Sequence, residues 1–145
     1  MLMASKKVCF IQSTWHKDIV DQLKLSFVNL IKEKQNDIEI DFIEVPGALE
    51  IPLQAQKAIQ TKQYQAIVVA GLIVNGGIYR HEFVAQATLD AIMKIQLETG
   101  TPIIYGILTP INFHGETHEK FFFDHFKIKG EEAARACDSI LAIDK

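Results

Sequence analysis

Only two of the 145 residues are cysteine, four are proline and one is tryptophan. Cys9 and Cys137 stand far apart, without a C-x-x-C spacing and among apolar or small neighbours. That pattern excludes a disulfide framework or zinc cluster and reads as two reduced core thiols. Runs of Lys or Arg are also missing, and 15 basic against 18 acidic residues leave a formal charge of −3. Neither nucleic acid nor an anionic membrane is therefore an expected partner. No apolar stretch reaches the roughly 18 residues of a membrane span, and Met1–Lys7 runs into a strand-like segment instead of a signal-peptide pattern. The expected location is the cytoplasm. What the chain does have is core-forming material, with 48% hydrophobic and 23% charged residues. Its length fits a single domain over residues 1–145.

Periodicity orders the chain into alternating elements. Val8–Ile11 is a short apolar run, and in Trp15–Lys34 the residues Ile19, Leu23, Phe27, Leu30 and Ile31 recur at helical spacing. Ile38–Ile43 reads as a strand. Pro46-Gly47 then breaks the chain before a helix over Leu49–Ile59, in which Pro52 is tolerated only in the first turn. Ala66–Leu72 has the uninterrupted apolar character of a strand buried on both faces, and Arg80–Glu98 is a helix with Gly100 as its C-cap. A fourth strand, Ile103–Leu108, precedes two helices, Glu116–Phe126 and Glu131–Ile143, separated at Lys129-Gly130. Four strands alternating with helices predict an α/β fold: a three-layer αβα sandwich around a four-stranded parallel sheet, because parallel neighbours need crossover connections.

Ligands of open α/β sheets bind beyond the carboxyl ends of the strands, which directs attention to four loops: 12–16, 44–50, 73–82 and 109–114. Gly76-Gly77, between a strand and a helix, suits a phosphate held by backbone N–H groups, with Arg80 or His81 supplying charge. A plain tight turn explains the same pair, and neither G-x-G-x-x-G nor a P-loop is present. Glu50 either accepts N–H donors from a heterocycle or simply faces a helix N-terminus. Trp15 is either a stacking platform or core, and Tyr105 either packs inward or presents its ring at the same edge. His114, Glu116, His118, Glu119 and His125 suggest a metal, but the spacing is H-x-E-x-H with Gly115 inside it, and a solvated helix face is the plainer reading. Phe121, Phe122, Phe123 and Phe126 are too apolar to be left wet, so part of this group is expected at a subunit interface.

Val45-Pro46-Gly47-Ala48-Leu49-Glu50-Ile51-Pro52, Gly71–Gly77, Tyr105-Gly106-Ile107-Leu108-Thr109 and Lys129-Gly130-Glu131-Glu132-Ala133-Ala134 follow one another in an order that resembles the 6,7-dimethyl-8-ribityllumazine synthases along nearly the whole chain. Trp15 in place of a phenylalanine, and the Gly-Gly-Ile-Tyr-Arg-His loop, resemble the divergent second type of that family. The resemblance implies a flavodoxin-like fold and the penultimate step of riboflavin synthesis. In that step 5-amino-6-ribitylamino-pyrimidinedione condenses with 3,4-dihydroxy-2-butanone 4-phosphate, with no cofactor and no metal. It implies that Trp15 stacks on the pyrimidine, that Ala48, Leu49 and Glu50 bind its ribityl side, and that Leu72, Ile73 and Val74 hold the ring. It further implies that Gly76, Gly77 and Ile78 cradle the phosphate, and that Tyr105 and Lys129 complete a site shared across a pentamer interface.

Two departures from the family pattern matter. At the position of the family's general-base histidine, two residues before Glu82, stands Arg80, and the nearby histidine, His81, is one position late. A permanently charged guanidinium binds phosphate but is no base, so Arg80 is expected in phosphate binding and His81 in proton transfer. The family's phosphate-binding arginine upstream of Lys129-Gly130 also lacks a counterpart, its position falling on Glu119 or Phe121, with Lys120 between them. Arg80 compensates in this reading. A lumazine- or riboflavin-binding carrier with decayed chemistry is the second functional reading. For assembly, the stretch Asp124–Gly130 lacks the glycine-containing turn of the closed sixty-subunit shells. The resemblance therefore implies stacked pentamers, a decamer, with Phe121–Phe126, His114 and His118 at the contact.

Overall fold

The computed structural model describes residues 6–74, 80–109 and 115–144, and for residues 115–118 the backbone alone. Its elements alternate as the periodicity predicts: β1 (Lys7–Ser13), α1 (Lys17–Lys34), β2 (Glu39–Val45), α2 (Ile51–Gln60), β3 (Ala66–Leu72), α3 (His81–Thr99), β4 (Ile103–Leu108) and α4 (Gly115–Ile143). All strand pairings are parallel and the sheet order is β2-β1-β3-β4. This is the flavodoxin-like order, in which the winding reverses between β1 and β3 and opens a crevice at their carboxyl ends. Pro52 sits in the first turn of α2, where its missing N–H is harmless. Gly100 ends α3 at φ 72°, a left-handed conformation that a β-carbon would disfavour.

Alternation along the central strands sorts the core into two layers. Val8, Phe10, Val68 and Ala70 face α1 and α4, whereas Cys9, Ile11, Ile67 and Val69 face α2 and α3. All seven residues of β3 are buried, as expected of a strand covered on both faces. Cys9 and Cys137 are free and buried in opposite layers. Burial pushes the Cys9 thiol up to about 11 and the Cys137 thiol to about 12, so both stay protonated and inert at neutral pH.

One expectation fails. In place of two helices separated at Lys129-Gly130, a single helix runs through both residues. Gly130 is where α1 comes closest: a β-carbon there would run into Ser26 Oγ and the Leu23 carbonyl oxygen. Next to it, the Ser26 hydroxyl donates to the Lys127 carbonyl at 2.7 Å. The glycine is present for close helix packing, although in sequence it has the appearance of a stop. The phenylalanine cluster divides along this helix. Phe126 is fully buried, Phe122 and Phe123 pack partly against the core, and Phe121 is exposed and stacked on His125 with ring centroids 5.7 Å apart.

Candidate functional site at the carboxyl edge of the sheet

Beyond β1, β2 and β3 the chain surrounds a cavity of about 410 Å³ at the crevice marked by the strand order. Trp15 forms one wall, the stretch Pro46–Glu50 another, and Leu72, Ile73 and Val84 the base. The lining is mostly apolar, suited to a planar heterocycle with a few polar handles. Trp15 is 58% exposed, so its indole is an open face and not a core side chain. It stands in a short turn between β1 and α1, tied to the opposite wall where the Thr14 N–H donates to the Val45 carbonyl at 2.9 Å.

The opposite wall is built by the P-G-A-L-E sequence itself. Pro46-Gly47 ends the strand, Ala48–Glu50 form a single 3-10 turn, and Glu50 Oε1 accepts the Gly47 N–H at 2.8 Å, the returning half of a capping box. Ala48 is buried beneath the turn, while Leu49 is exposed at the rim. Leu72, Ile73 and Val74 are all buried, the first two lining the cavity, and the Ile73 N–H is bonded to the Leu108 carbonyl at 2.9 Å.

A second cavity of about 400 Å³ adjoins the first through Ile73, which lines both. His81, Glu82 and Gln86 bring polar groups to it from the first turns of α3, Tyr105 and Thr109 bring hydroxyls from β4 and the residue after it, and Ile107 adds an apolar surface. The His81 side chain is 13% exposed, with Nδ1 3.6 Å from Glu82 Oε1. Tyr105 packs in the α2/α3 layer, and burial pushes its hydroxyl up to about 12, so it remains a neutral donor.

The residues singled out in the sequence are thus brought together unequally. Trp15, Ala48, Leu49, Glu50, Leu72 and Ile73 share one cavity, and His81 and Tyr105 share the next. Arg80 is separated from its neighbour: it is exposed, with its guanidinium 5.7 Å from the Phe83 ring centroid, and lines neither cavity. Lys129 lies on α4, on the other face of the sheet, paired with Glu132 at 2.9 Å. Gly76, Gly77 and Ile78 lie outside the described residues, as does His114, and so do the side chains of Glu116 and His118. Among the described residues no three His, Cys, Asp or Glu side chains gather as metal ligands would. Val84, Glu82, Gln86 and Thr109 join the lining although no sequence motif marks them as site residues. Val84 and Gln86 lie one turn beyond His81 and Glu82, a helical spacing that locates them once the face of α3 is known.

The 6,7-dimethyl-8-ribityllumazine synthase family model matches residues 5–145. A Pseudomonas syringae pv. tomato protein named 6,7-dimethyl-8-ribityllumazine synthase 2 is 53% identical over 94% of this chain and 82% of its own length. A 6,7-dimethyl-8-ribityllumazine synthase from Rhodococcus erythropolis is 49% identical, covering 92% of this chain and 88% of its own. A Bradyrhizobium diazoefficiens protein, also named 6,7-dimethyl-8-ribityllumazine synthase 2, is 47% identical over 94% and 82% respectively. With the sheet order, the cavity at its switch point and these likenesses in agreement, the chain belongs to the 6,7-dimethyl-8-ribityllumazine synthase family, transferases of riboflavin biosynthesis.

Proposed function

We propose that this chain joins 5-amino-6-ribitylamino-2,4(1H,3H)-pyrimidinedione to 3,4-dihydroxy-2-butanone 4-phosphate, releasing phosphate and two waters as the lumazine ring closes. The observation that carries the residue roles is the pair of adjoining cavities, one apolar and walled by Trp15, the other holding His81. The pyrimidinedione stacks on Trp15 with its ribityl chain along Ala48, Leu49 and Glu50 and its ring against Leu72, Ile73 and Val74. The phosphorylated butanone occupies the His81 side.

The substrate amine is itself the nucleophile, so positioning supplies most of the acceleration. It attacks the ketone carbonyl, and loss of water leaves an imine. His81, its Nδ1 facing Glu82, takes the carbon-bound proton whose removal expels phosphate, and returns a proton in the later steps. The ribityl-bearing nitrogen then closes the ring with loss of the second water. The backbone of Gly76, Gly77 and Ile78 holds the phosphate, and Arg80, exposed at the start of α3 outside the two cavities, swings from the Phe83 ring to pair with it when substrate binds. Lys129 reaches the site from a neighbouring copy, in keeping with its place on the far face of its own chain. The active form is a homopentamer, stacked as a decamer, in the cytoplasm, where two buried free thiols are at home.

The test follows lumazine formation by absorbance above the uncatalysed condensation. His81→Ala is expected to slow turnover with binding retained, and Arg80→Ala to raise chiefly the KM for the phosphorylated butanone. Wild-type kinetics in both variants would remove these roles. An assembled wild-type protein that binds lumazine or riboflavin without accelerating product formation would be a carrier.

A further inference from the structure

Two local preferences are broken on the carboxyl side of Trp15. His16 takes a left-handed conformation, φ 55° and ψ 46°, which a residue with a β-carbon rarely adopts. Lys17 then opens α1, where a cation opposes the positive end of the helix dipole. Such departures cluster where a loop is held for function. Here the hold is visible. Lys17 Nζ lies 3.1 and 3.0 Å from the two Asp21 oxygens and 3.0 Å from Glu44 Oε2. Asp21 Oδ1 also accepts Gln12 Nε2 at 2.9 Å, and Gln12 is fully buried at the end of β1. A polar ring therefore runs from β1 through the first turns of α1 to the end of β2, bracketing residues 14–16. Hydrogen bonds to Glu44 and then Asp21 raise the Lys17 pKa above its ordinary value, so the ammonium stays charged.

We propose that Lys17 is a positioning residue: by bridging Asp21 and Glu44 it holds the 14–16 turn so that the Trp15 indole stays opposite the Pro46–Glu50 wall. The inference rests on the reading of Trp15 as the stacking platform. Lys17 lines neither cavity, so it touches no reacting atom, and its removal acts on affinity for the planar ring and not on proton transfer.

Trp15 is the single tryptophan, so its emission anisotropy in the assembled protein reports the freedom of this turn directly. Equilibrium dialysis with 6,7-dimethyl-8-ribityllumazine gives the Kd. Lys17→Met is expected to weaken binding about three- to five-fold, the scale of exposed ion pairs. It should raise the pyrimidinedione KM by the same factor and lower Trp15 anisotropy, with Lys17→Arg restoring most of each. Glu44→Gln should act alike, and the double variant Lys17→Met/Glu44→Gln should lose no more than either alone. Unchanged Kd and anisotropy in Lys17→Met and Glu44→Gln, or a fall in kcat without a change in Kd, would overturn the clamp. If Trp15→Ala weakens binding in that case, only the clamp is lost. If Trp15→Ala binds as the wild type does, the platform reading fails, and the clamp with it.

Discussion

Phe10, Phe27 and Phe126, the largest fully buried side chains, all lie on the face of the sheet covered by α1 and α4, whereas the α2/α3 face is packed mainly with alanine and isoleucine. On the first face the rings of Phe10 and Phe27 are 5.4 Å apart, and the two helices close so tightly that Gly130 leaves no room for a β-carbon. On the second face, Ala48, Ala55 and Ala58 fill less volume, and Val84, Ala85 and Tyr105 border open cavities at the strand ends. Dense packing and an open site compete for the same space, because a filled interior leaves no gap larger than a water. This chain separates the two demands by face. The largest buried rings lie on one side, and the core residues that line the cavities, Leu72 apart, lie on the other.

That division can be broken most severely at Phe126. Truncation to alanine is expected to cost about 3–5 kcal/mol, seen as a large fall in the thermal midpoint, while the remaining folded protein binds lumazine as before. A comparable loss of binding per folded molecule would show that the two faces are not independent. His81→Ala should do the reverse, leaving the midpoint in place and lowering kcat about 10²-fold, the low end for a lost acid–base group. Gly130→Ala comes next, at about 1–3 kcal/mol for overpacking, again in stability and not in the site. If the melt is unchanged, the close approach of α1 is not what requires the glycine.

The smallest effect is one of pH. The hydrogen bond from Tyr64, 2.6 Å from Asp41 Oδ2, holds the Asp41 carboxyl below the usual range. At Asp21 burial acts in the opposite direction, but the hydrogen bonds from Gln12 and Lys17 prevail and hold it low. A carboxyl depressed in the folded state contributes stability above its unfolded value, and that contribution is lost as pH falls through about 4 toward the lowered value. Denaturant midpoints should therefore be level from neutral pH to about pH 5 and decline below it. Asp41→Asn should flatten part of that decline by a fraction of a kcal/mol, since the group is exposed.

Much of this was legible in the residues. The four strands, the first-turn place of Pro52, the Gly100 cap and the wall built by Pro46–Glu50 all follow from local patterns with local causes. The continuity of α4 did not, because Lys129-Gly130 resembles a helix stop, and only the approach of Ser26 and Leu23 from α1 reveals its purpose. Sequence assigns Arg80 and His81 different roles by their chemistry, but it does not say which of these two neighbours faces a cavity. Arg80 is the extended N-cap residue and His81 the first residue of α3, so where the start of α3 settles beside β4 decided which of them lines a cavity.

The sequence by itself thus determined the alternation of elements, the parallel sheet and the family, since these depend on hydrophobic period and short motifs that act within a few residues. Tertiary structure alone decided which carboxyl-edge residues share a cavity, that Lys129 lies on the opposite face, and why Gly130 must be glycine. Each of those depends on where a distant backbone passes, a distance that no local pattern encodes.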